Sequence, residues 1–142
     1  MMYIYRYIVV SLLVFMIGIL FYYFFREPTI VANYLGIDGY RIASKYVVYF
    51  NSFPSFAHVF TFSILTWLIF EQSSATFSIL FWMILNLFFE FIQYFDLSSF
   101  NWIPKVVQDY SKYGTYSNMD IIAIFIAAIC AKIVINTKQS SI

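Results

Sequence analysis

Four stretches of this chain lose almost all polar character, and mixed segments carrying charges, prolines and glycines separate them. The first, about residues 5–25, is nearly unbroken Ile, Leu, Val, Phe and Tyr, with Gly18 as its only glycine. A run of this length and purity predicts a helix that crosses a bilayer. The second, about 56–72, opens after Pro54 and Ser55, which suit a helix start, and closes in the polar turn Glu71, Gln72, Ser73, Ser74. The third, about 77–95, follows at once, so the second and third are expected as antiparallel neighbours. The fourth, about 119–136, is rich in Ile and Ala.

The mixed segments read differently. Between about 38 and 53, Arg41 and Lys45 share one helical face while Ile42, Tyr46 and Tyr49 share another, which predicts a short helix lying in the membrane plane. Between about 102 and 114, Pro104 and Gly114 sit where a short helix places its first-turn proline and terminal glycine, with Val106, Val107 and Tyr110 on its apolar face. The expected architecture is all-α: one integral membrane domain over 1–142, a bundle of about four transmembrane helices with two interfacial segments.

Composition agrees and narrows the function classes. Of the 142 residues, 63% are apolar, 24% aromatic and 11% charged, too few charges for a water-soluble domain. The net charge of +1 is spread without a run of like sign, which argues against nucleic acid as a partner. The single cysteine, Cys130, rules out an internal disulfide and leaves no CxxC metal site. The first apolar stretch ends in bulky aromatics, with no small residues suited to cleavage, and is read as a retained anchor. Basic residues fall on both sides of the expected spans, so charge alone leaves the orientation open.

Ionisable groups in apolar spans cost ~3 kcal/mol on insertion scales, so the few present call for a reason. His58 lies in the first turn of the second stretch, Glu90 more than a turn before the end of the third, and Asp120 at the start of the fourth. Four crossings bring all three to the same membrane face. Asn86 and Gln93 share Glu90's helical face, giving a polar stripe that should look into protein, with Asn86 as support. Candidate partners for Glu90 are His58 across the bundle, or Arg41, Lys45, Lys105 and Lys112 from the two mixed segments. Each residue also has a plainer role: an interfacial histidine for His58, interhelical hydrogen bonding for Glu90 and Gln93, and a capping acid after Ser117 for Asp120. Lys132 is expected to snorkel to headgroups, and the alanines at 123, 127, 128 and 131 to permit close packing.

These residues support a resemblance. Pro54-Ser-Phe-Ala-His58, Glu90-Phe-Ile-Gln93 and Gly114-Thr-Tyr-Ser-Asn-Met-Asp120, in that order over about 54–132, resemble the signature of the VanZ-like membrane proteins. The chain departs from it in lacking the charged residues often found before the histidine and the arginine often found after Glu-x-x-Gln. The resemblance implies a small bacterial protein of the cytoplasmic membrane, linked to tolerance of teicoplanin-type glycopeptides, with His58, Glu90, Gln93 and Asp120 on its extracytoplasmic face.

The expected function is binding of a membrane lipid or lipid-linked cell-wall precursor headgroup, or of a glycopeptide, at the polar face, without catalysis. No cofactor or metal is called for, and no catalytic residue is assigned. One alternative is an intramembrane enzyme acting on a lipid headgroup, with Glu90 or His58 as general acid or base. It lacks support from any HExxH, nucleophile or phosphate-loop motif. Another is a structural subunit that packs its Phe-rich surface, Phe77, Phe81, Phe88, Phe89 and Phe91, on a larger partner.

Overall fold

The computed structural model describes residues 2–25, 50–70, 74–95, 97 and 99–139. Most of the segment expected at about 38–53, including Arg41 and Lys45, lies outside them, as do Arg26, Glu71 and Asp96. Five helices and no strand occur among the described residues: α1 (Met2–Phe25), α2 (Phe53–Ile69), α3 (Ala75–Tyr94), α4 (Lys105–Tyr113) and α5 (Asn118–Gln139). Three stretches, Ile4–Phe25, Ala75–Tyr94 and Asn118–Asn136, are long and apolar enough to cross a membrane. Phe53–Ile69 is apolar but has 17 residues, closing earlier than the expected 72.

Local chemistry explains the boundaries. Pro54 occupies the first turn of α2, where its missing N–H costs no hydrogen bond. Ser74 caps α3, its Oγ accepting from the Phe77 N–H at 3.1 Å while its carbonyl accepts from Ser78 Oγ at 3.2 Å. The first turn of α5 closes on the Ser117 carbonyl, which accepts from the N–H groups of Asp120 and Ile121.

The bundle is organised around α2, which packs against α1, α3 and α5, while α3 also touches α5 and α4. Its core joins Val59, Phe60, Ile64 and Trp67 of α2 to Ile79 of α3 and to Ile124, Ala127, Ala128, Ala131 and Ile135 of α5. The alanines let α5 approach closely, because a methyl group is the largest side chain to be accommodated there. Against α1 the seam is antiparallel: the Tyr7 ring meets Trp67 edge-on at 5.6 Å, Thr61 Oγ1 donates to the Ser11 carbonyl at 3.0 Å, and Phe21 lies near Phe53. Within the seam Gly18 faces Ala57, and a Cβ on Gly18 would stand 3.0 Å from the Ala57 Cβ.

Between α2 and α3, the Trp82 indole Nε1 donates to Thr66 Oγ1 at 2.7 Å, and Trp82 stacks on Phe62 at 4.7 Å. Replacing Thr66 with isosteric valine is expected to lower stability by about 0.6 kcal/mol and by no more than ~1.7. Thermal unfolding in detergent measures this. An unchanged midpoint would show that the indole bond contributes nothing.

Candidate functional site

His58, Glu90, Gln93 and Asp120 fall at the end of the bundle where α2 begins, α3 ends and α5 begins, while Asn86 lies nearer the middle of α3. The rings of Tyr94 and Tyr116, 5.4 Å apart, fix the α5 start beside the α3 end. At ~1.5 Å per residue, His58 lies about 7 Å inside the start of α2 and Glu90 about 6 Å before the end of α3. The register agrees. The Trp82–Thr66 hydrogen bond sets those residues opposite one another, and eight residues along each antiparallel helix, on the rows 58, 62, 66 and 82, 86, 90, lead to His58 and Glu90 at the same height.

Burial separates the three ionisable groups. Glu90 is 7% exposed and Asp120 2%, although each sits within about a turn of a helix end. Asp120 thus turns into the bundle instead of facing outward like a surface capping acid. His58 is half-buried and its neighbours are aromatic: Phe62 at 5.9 Å and Phe15 of α1 at 6.3 Å between centroids. Among the described residues, no three His, Cys, Asp or Glu side chains form a group able to hold a metal ion. The shared height of His58 and Glu90 is therefore not a metal-ligand cluster with Asp120.

Gln93 has a different neighbourhood. Its Nε2 donates to the Tyr110 hydroxyl at 2.6 Å, fastening α4 to the end of α3. The Phe89 ring meets Tyr110 edge-on at 5.5 Å, and Ser111 Oγ accepts from the Leu97 N–H at 3.1 Å. Gly114, which follows α4, lies against Gln93 so closely that a Cβ there would come within 2.7 Å of Gln93 Cγ and 2.5 Å of the Tyr110 carbonyl oxygen. Its φ of −70° is open to any residue, so close approach, not a left-handed turn, is what glycine supplies. Asn86 donates to the Trp82 carbonyl of its own helix at 2.9 Å. The Glu-x-x-Gln pair thus divides its work: Glu90 points into the bundle while Gln93 latches a helix.

Tyr110, Ser111 and Gly114 are the partners that the sequence pattern did not identify. The apolar spacing marked Tyr110 as one face of a short helix but carried no sign that its hydroxyl meets Gln93. A returning short helix with a polar-tipped aromatic was the available signal.

Fold and site together define a helical protein, by length and composition suited to a membrane, with two acids buried at one end and a short amphipathic helix fastened to the end of α3. No family model, curated protein or solved structure matches the chain.

Proposed function

We propose that this is a four-span, VanZ-like protein of the bacterial cytoplasmic membrane, and that its polar end binds the headgroup of a membrane lipid or lipid-linked cell-wall precursor. The observation that carries the reading is the burial of two carboxylates, Glu90 and Asp120, at one end of the bundle. Ionisable groups are rare in apolar spans and mark functional positions there, and two carboxylates at one end of a lipid-facing protein offer a headgroup hydrogen-bond acceptors. Ligand groups suited to them are ammonium, amide and hydroxyl donors, as in amino-bearing headgroups and sugars.

The fourth span is α2. Its 17 residues reach about 25 Å, short of the ~30 Å hydrocarbon core. A helix surrounded by α1, α3 and α5 is shielded by protein, so its ends need not match the lipid thickness.

The test is the pair Glu90→Gln and Asp120→Asn, which keep shape and remove charge. Losing a charge-assisted hydrogen bond worth ~1.5–3 kcal/mol lowers ligand retention about 10- to 150-fold. Native mass spectrometry of the purified protein, offered phosphatidylethanolamine, phosphatidylglycerol or a prenyl-linked sugar precursor, reads retention directly. The melting temperature of each variant establishes that it is folded. Full retention of every lipid by a folded double variant would sink the reading, and so would unchanged teicoplanin tolerance in cells carrying it.

A further inference from the structure

The segment from Phe100 through α4 holds its largest apolar side chains outward. Trp102 is 82% exposed, Val106 61% and Phe100 45%. This is not a loose end of chain. The Gln108 side-chain amide donates to the carbonyls of both Phe100 and Ile103, at 3.0 and 2.7 Å, and backbone bonds link Phe100 to Leu97 and Ile103 to Phe100. A turn closed by four hydrogen bonds, with a tryptophan at its tip turned away from the protein, needs a surface for that tryptophan to enter.

The helix that follows is amphipathic. At 100° per residue, Lys105, Gln108, Asp109 and Lys112 fall on one face, while Val106, Val107 and Tyr110 fall on the opposite one. Tyr110 uses that face to meet Phe89 and Gln93, and Val106, beside it, is left exposed. Both lysines are exposed on the far side. The end of α3 to which α4 is bonded also presents Phe88, Phe91 and Phe95 outward.

We infer that this segment is an in-plane anchor seated at the boundary between phospholipid headgroups and acyl chains, with Phe100, Trp102 and Val106 dipping inward and Lys105 and Lys112 reaching the phosphates. Tryptophan favours this depth because its ring is apolar and its N–H finds a polar partner there. The lysine stems follow the same boundary with their ammonium groups outward. Attachment to the end of α3, a helix long and apolar enough to cross a membrane, commits the surface to phospholipid over a protein partner. Through the Gln93–Tyr110 bond, the anchor fixes how deep the end of α3, and with it Glu90, sits in the bilayer. The inference rests on the membrane reading and not on what ligand the acids hold.

The experiment uses the full chain in vesicles of phosphatidylethanolamine and phosphatidylglycerol. The chain has 3 tryptophans, so the Trp67→Phe, Trp82→Phe variant leaves Trp102 as the sole emitter. Lipids brominated near the headgroup are expected to quench it severalfold more than lipids brominated at the chain end, and aqueous iodide only weakly. Strong iodide quenching with none from brominated lipid would overturn the proposal, placing Trp102 in water or on a surface meant for another protein. Because Trp67 is buried and Trp82 holds Thr66, a second variant guards against misfolding: Trp102→Cys with Cys130→Ser, carrying a nitroxide. Greater accessibility to oxygen than to a water-soluble nickel complex supports the anchor, and the reverse refutes it. Glu90→Gln should leave either depth measurement unchanged, so failure of the headgroup site and failure of the anchor are told apart.

Discussion

Replacing Gly114 with valine is expected to release α4 from the end of α3 while leaving the rest of the bundle folded. The first carbon of any side chain there would lie 2.5 Å from the Tyr110 carbonyl oxygen and 2.7 and 2.9 Å from Gln93 Cγ and Cδ. The Gln93 side chain can turn aside, but the carbonyl belongs to the last turn of α4 and moves only with the helix. Overpacking of this kind costs ~1–3 kcal/mol. A docked segment weakened by that amount opens roughly 5- to 150-fold more often. Trypsin cleavage after Lys105 and Lys112 should quicken by a similar factor, with helical circular dichroism nearly unchanged. Gly114→Ala should fall between. A valine variant cut at the wild-type rate would mean that α4 is held by something other than the contacts of Gln93, Tyr110 and Gly114.

The second large effect belongs to Gly18. The helix α1 packs chiefly on α2, and Gly18 meets Ala57 in their seam with no room for a Cβ of its own. In lipid a detached helix gains no exposure to water, so the pair is held by close packing and by bonds such as Thr61 to the Ser11 carbonyl. A leucine at 18 would force the helices apart and forfeit that packing over several turns, lowering stability by about 1–3 kcal/mol. Thermal unfolding in mild detergent reads the loss. The informative control moves one methyl across the seam: Gly18→Ala alone should destabilise, and Gly18→Ala with Ala57→Gly should return most of the loss. Equal losses in the single and double variants would show that the contact between these two residues is not what holds α1.

The two glycines show where reading the sequence stopped. Gly18 stood out as the only glycine of its stretch, but nothing along the chain named Ala57 as its neighbour, since the two meet through a helix seam and not through spacing. The pattern of the sequence makes Gly114 a helix-terminating glycine. It does follow α4, with an extended backbone, and what requires glycine there is the Tyr110 carbonyl together with the side chain of Gln93 arriving from another helix. Helical spacing puts Gln93 with Glu90 in one polar stripe, whereas Glu90 turns inward and Gln93 binds outward to Tyr110.

What the sequence determined by itself was the helices over the four apolar stretches and the short one before Gly114, and the end of the bundle at which His58, Glu90 and Asp120 gather. Those follow from costs paid residue by residue: an apolar side chain favours lipid wherever it stands, a polar one is penalised there, and counting the reversals assigns each to an end. What only the tertiary structure decided was rotation and partnership. It set which way each helix turns its faces, and so buried Asp120 while leaving Trp102 exposed. It also brought Gln93 to Tyr110 and Gly18 to Ala57. These depend on helix register and close packing between residues far apart in the chain, for which a one-dimensional pattern of apolar and polar positions has no term.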